Sequence, residues 1–128
     1  MNTFCWIACA MVLSAVTAGA RAADGDAPGK ALYHVVSFKF KESATPEQIK
    51  KIADEFRALK SKIPEVVTYA GNTNVSKAAK DKGFNYCSVL TFKSQKDLDT
   101  YVASAPHQDF VKLIKDSVED AFVIDFWE

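Results

Sequence analysis

Two histidines, His34 and His107, are the only ones among the 128 residues, and with Tyr101 and Tyr86 they make the best case for chemistry in the chain. Imidazole titrates near neutral pH, so two histidines converging on an apolar pocket can supply general acid–base catalysis. A tyrosine beside them can orient or protonate a carbonyl or enolate oxygen. His34, Val36, Phe38 and Phe40 alternate with Tyr33, Val35, Ser37 and Lys39, the period of a strand with one strongly buried face. His107 follows Pro106 at the start of a helix on the same side. The expected pocket is small and apolar, one per subunit, bounded by His34, Tyr86, Tyr101 and His107 with Phe38 and Phe56 in its lining. Each residue also has a structural reading: His107 in a helix-start network, His34 at a rim, Tyr101 as a core aromatic.

Other chemistries find less support. Asp109 lies two residues from His107 and points elsewhere on a helix, and no C-x-x-C, H-x-x-x-H or H-E-x-x-H spacing exists, so no metal site is expected. There is no Gly-rich phosphate loop and no nucleophile elbow, and no cofactor is expected. Cys87 falls mid-strand on a presumed subunit interface, where an inert thiol is the simpler reading. Sixteen Lys plus Arg balance sixteen Asp plus Glu, which argues against a nucleic-acid partner. Lys77, Lys80 and Lys82 read as a solvated loop.

The elements that must position these residues alternate strand and helix. Thr45-Pro46-Glu47-Gln48 forms a capping box with Pro at the first helical position. Ile49, Ile52, Ala53, Phe56, Leu59 and Ile63 follow at helical spacing until Pro64. Residues 66–70 form a short strand ended by Gly71-Asn72, and residues 84–92 a longer one with Tyr86, Ser88, Leu90 and Phe92 on one face. Ser94 caps a helix carrying Leu98, Tyr101 and Val102. Pro106 opens another that carries Phe110, Val111, Leu113, Ile114 and Val118. Residues 122–127 close the chain as a strand, with Phe122, Ile124 and Phe126 on one face. The order βαββαβ, its second helix in two pieces, predicts an α+β ferredoxin-like sandwich. Its second sheet face, with Tyr33, Val35, Val89, Val123 and Trp127, is uncovered in a monomer, and a second copy of the chain is the simplest cover.

His34-Val35-Val36-Ser37-Phe38-Lys39-Phe40-Lys41, Thr45-Pro46-Glu47-Gln48, Leu59 to Pro64, Leu90-Thr91-Phe92, Pro106 to Phe110 and Val123 to Phe126 stand in order at compatible spacings. This set resembles the stress-responsive A/B barrel (Dabb) domain over nearly all of residues 31–127. The resemblance implies a dimeric α+β barrel, two four-stranded sheets face to face. One branch, typified by olivetolic acid cyclase, performs cofactor-free aldol cyclisation with a Tyr and a His six residues later as the acid–base pair. Tyr101 and His107 stand in those positions, and His34 matches a pocket histidine of that enzyme. Tyr86 replaces another pocket His, and Ser104-Ala105-Pro106-His107 replaces a His-Pro-Ala-His. The first expectation is a homodimeric module binding a small apolar or aromatic ligand, its activity undefined. The second is a cofactor-independent lyase, cyclase or isomerase with His107 as base and Tyr101 as proton donor. A cofactor-free monooxygenase is a third, by analogy of fold alone.

The first 22 residues set themselves apart, with sixteen hydrophobic side chains and one charge, Arg21. The apolar core is about 13 residues, the size of a signal h-region and short of the ~20 that span a bilayer. Ala20-Arg21-Ala22 fits the A-x-A pattern before a cleavage site, and residues 23–30 read as a flexible lead. An exported protein without a stable membrane anchor is expected, with the domain over residues 31–128. Cleavage removes Cys5 and Cys9 and leaves 106 residues with Cys87 as the only thiol, so no disulfide within the chain. Expression of the full chain in a secreting host should yield an exported product whose intact mass begins at Ala23; retention of Met1 on the exported product would refute cleavage.

Overall fold

In the computed structural model, which describes residues 27–128, the order is β1 (Leu32–Phe40), α1 (Pro46–Lys62), β2 (Thr68–Thr73), β3 (Tyr86–Phe92), α2 (Gln95–Ala103), α3 (Ala105–Ile114) and β4 (Val118–Trp127). The leader expected over residues 1–22, with most of the lead that follows it, lies outside the described residues. Among the described residues no helix is long and apolar enough to cross a membrane. The four strands form one antiparallel sheet in the order β2-β3-β1-β4, with the helices packed on one face, the predicted ferredoxin-like sandwich.

Alternation along β1 decides what lies beneath the helices. Leu32, His34, Val36, Phe38 and Phe40 are buried, and the residues between them are half-buried. β3 repeats the pattern with Tyr86, Ser88, Leu90 and Phe92. The capping box forms as read: Gln48 N–H donates to Thr45 Oγ1 at 3.2 Å, and Thr45 N–H donates to Gln48 Oε1 at 2.8 Å. α1 then lays Ile52, Phe56 and Leu59 on the sheet. Burial of such side chains contributes about 1.5–3 kcal/mol each, which makes this inward face the main source of stability.

Several boundaries differ from the sequence reading, and β3 begins at Tyr86 rather than at residue 84. β2 does not end at Gly71 but runs through it to Thr73, because the ladder to β3 continues through Gly71↔Ser88 and Thr73↔Tyr86. Gly71 is tolerated for its lack of a side chain: a Cβ there would sit 2.6 Å from Ser88 Oγ and 2.7 Å from the Tyr69 hydroxyl. Val66, read as strand, instead plugs the core, 5% exposed. β4 begins at Val118, four residues before the predicted start, because β1 pairs with it as far as Phe40 across a register shift between Lys39 and Phe40. Val118, expected on a helix, therefore belongs to a strand.

The larger correction concerns the faces of β4. The pairs Val36↔Val123 and Leu32↔Trp127 place Val123 and Trp127 on the helix side, not on the open face. Phe122, Ile124 and Phe126 take the open face beside Tyr33 and Val35, and the Phe126 ring stacks on Tyr33 at 5.1 Å. The three β4 residues are 51%, 46% and 43% exposed. The open face is therefore more apolar than the sequence reading allowed.

Candidate functional site

The α2–α3 junction sets the geometry. Ser104 ends α2 and caps α3, its hydroxyl donating to Tyr101 O at 2.7 Å and accepting from His107 N–H at 3.4 Å. Pro106 has no N–H, so the carbonyl four residues back, that of Val102, has no helical donor at that position. His107 Nδ1 takes it at 3.0 Å, and the Gln108 side-chain amide donates to the same oxygen at 2.8 Å. A carbonyl oxygen only accepts, so His107 Nδ1 carries the hydrogen and the neutral ring keeps its lone pair on Nε2.

β1 supplies the second imidazole. His34 Nδ1 lies 2.6 Å from Asp125 Oδ1, its direct cross-strand partner on β4. A carboxylate accepts, so Nδ1 donates, and Nε2 is left without a protein partner among the described residues. Asp125 went unnoticed in the sequence, although a lone carboxylate inside the apolar run Phe122-Val123-Ile124-Asp125-Phe126-Trp127 was a signal.

These groups converge. The Tyr101 ring lies 4.6 Å from His107 and 5.9 Å from His34, centroid to centroid. All three line a cavity of about 340 Å³ between β1, β4, α2 and α3, with Phe38 and Phe56 at its back and Val123 at its mouth. No Lys, Arg, Asp or Glu lines it. The Tyr101 hydroxyl has no hydrogen-bond partner among the described residues, although the residue is only 1% exposed. Burial pushes its pKa far above the ordinary phenol range, so the group stays a proton donor. Burial also lowers the pKa of His107; the nearby His34 adds to this and the bond to Val102 opposes it.

Tyr86, expected in the same pocket, is not there. It stands on β3, across β1 from β4, stacks on Phe38 at 6.3 Å and bonds Tyr69 through its hydroxyl at 2.9 Å. Asp109 is exposed and lies 3.4 Å from Lys112 Nζ, away from His107. Cys87 is half-buried on the open sheet face. Among the described residues no three of His, Cys, Asp and Glu gather as a metal's ligands.

Residues 32–128 match the stress responsive A/B barrel domain. The chain belongs to the Dabb family. Among solved structures, this Dabb chain is similar to the hydroxynitrile lyase of Passiflora edulis, at 24% identity and a TM-score of 0.71 over 79% of this chain and 95% of that one. A protein of Arabidopsis thaliana is 24% identical with a TM-score of 0.70, over 74% and 92% of the two chains. A dimeric ferredoxin-like protein of unknown function from Thermobifida fusca is 20% identical with a TM-score of 0.67, over 77% and 92%. No curated protein matches the sequence.

The lowered pKa of His107 has a thermodynamic consequence. Between its folded pKa and the unfolded value of 6.5, the unfolded chain binds the proton more tightly, so stability falls as pH drops through that window and recovers above it. An NMR titration should therefore place the His107 ring below 6.5, and the loss of stability at acid pH should shrink in His107→Gln. A midpoint at or above 6.5 would contradict the assignment.

Proposed function

We propose that this Dabb protein binds a small, neutral, apolar carbonyl compound and carries out cofactor-free acid–base chemistry on it. The observation that carries the reading is the convergence of Tyr101, His107 and His34 on one apolar cavity, with both Nε2 atoms and the phenol unclaimed by the protein. A volume of about 340 Å³ suits a small ligand. The uncharged lining disfavours carboxylates and phosphates, whose desolvation nothing there would offset.

The roles follow from the proton positions. His107 Nε2 removes the hydroxyl proton of a β-hydroxy carbonyl compound or a hydroxynitrile. The carbon–carbon bond then breaks, its electron pair leaving with the departing carbanion, enolate or cyanide. Tyr101 hydrogen-bonds the carbonyl oxygen as it forms, and the protonated His107 returns the proton it took to the departing enolate or cyanide, which restores the neutral ring. The reverse sequence is aldol-type addition, so lyase and cyclase activity share one arrangement. The name of the Passiflora edulis neighbour supports chemistry of this kind. In a purely binding role the same groups would only orient the ligand.

The open face of Phe122, Ile124, Phe126, Tyr33 and Val35 supports a homodimer through this sheet, as does the dimeric state of the Thermobifida fusca neighbour. The leader supports action outside the cytoplasm. Ile124→Lys should convert a dimer, seen by light scattering, into a monomer of one chain's mass; a monomeric wild type would refute the interface. In a screen of β-hydroxy carbonyl compounds and hydroxynitriles, His107→Ala and Tyr101→Phe should each lower kcat/KM by roughly 10²–10⁴-fold while leaving binding of the product aldehyde nearly unchanged. Turnover that survives both substitutions, or binding without turnover in the wild type, would remove the catalytic reading.

A further inference from the structure

Tyr86, displaced from the histidine cavity, lines a different one. A groove of about 590 Å³ runs between α1 and the end of β2, floored by Phe40, Ile49, Ala53 and Tyr86. Its rim carries Arg57, Asn72, Thr73 and Asn85 together with Lys50 and Asp54. Arg57 Nη2 donates to Gly71 O at 3.1 Å, and the guanidinium packs over the Tyr69 ring at 5.9 Å. That bond holds the planar group across the β2 edge and leaves its other N–H groups available. Arg57 has no carboxylate partner among the described residues, because Asp54 is engaged by Lys50 at 2.6 Å. Asn72 spends its Oδ1 on Thr73 N–H at 2.8 Å, which leaves its Nδ2 as a donor. The side chains of Thr73 and Asn85 have no hydrogen-bond partner among the described residues.

The geometry points to a second small-molecule site in this groove, selective for a small amphipathic carboxylate. Lys50 and Arg57 against Asp54 leave one positive charge in excess, which complements a monoanion. A planar guanidinium matches a planar carboxylate in two parallel hydrogen bonds, and the two amides and the hydroxyl supply further donors. The apolar floor takes an alkyl or aryl body. The histidine cavity has the opposite character, with no charged side chain in its lining. The two spaces lie on either side of the Phe38–Tyr86 stack and select ligands by charge. The groove does not depend on the acid–base reading of the other cavity.

Octanoate and octanamide, titrated calorimetrically into the full chain and followed by amide chemical shifts, test the site. Octanoate should bind and shift Ala53, Asn72 and Asn85, with octanamide at least roughly tenfold weaker, the scale of one charge-assisted hydrogen bond. Arg57→Gln should weaken octanoate by a similar factor, and Arg57→Lys by less. Arg57 also ties α1 to β2, so Asn85→Asp provides a second arm: it places a negative charge in the groove without touching that tie, and should abolish octanoate binding while sparing octanamide. No octanoate binding, equal affinity for the amide, indifference to Asn85→Asp, or shifts confined to His34, Tyr101 and His107 would each overturn the proposal.

Discussion

Everything on the helix side of the sheet hangs on the two-residue alternation of β1. This strand is hydrogen-bonded on both edges, to β3 and to β4, so its register sets which residues of three strands face inward. Leu32, Val36, Phe38 and Phe40 place the core beneath α1 and α3, and His34 enters the same row. A slip of one residue would turn this whole set outward and expose it to water, a change no single surface contact could offset. The position of a titratable group in an apolar cavity is therefore a by-product of the strongest stabilising pattern in the chain.

The second imidazole is placed by a different device. Pro106 leaves the Val102 carbonyl without its helical donor, and Ser104 turns the chain between two short helices. His107 and Gln108 supply the missing donors. Satisfying a backbone acceptor and fixing the tautomer of a histidine are thus one interaction, so the structural and functional readings of His107 are compatible. His34 follows the same logic, with Asp125 in place of the carbonyl. In both rings Nδ1 is held and Nε2 is left free beside a protonated phenol.

Much of this was legible in the residues. The capping box at Thr45, the serine cap at Ser94, the proline start of α3 and the alternation of β1 and β3 depend on neighbours within a few positions, and all stand where the sequence puts them. The errors lie where pairing across the sheet decides. β2 and β4 extend because partner strands continue their ladders, and the inward face of β4 follows from Val36↔Val123, a pair made between residues 87 positions apart. Phe122 to Trp127 carries apolar residues on both faces, and its one carboxylate, Asp125, turns inward with Val123 and Trp127 to meet His34, so composition could not say which side was which.

The candidate site divides in the same way. The sequence alone determined the residue types, the strand and helix that carry them, and the proximity of Tyr101 to His107, which is local to one helix–turn–helix. Only the tertiary structure decided that His34 meets them, that Asp125 is its partner, and that Tyr86 belongs to another groove. The reason is physical: hydrogen bonds within a turn are set by adjacent residues, whereas the side of a sheet on which a residue meets its neighbours is set by strand register, a property of the assembled chain.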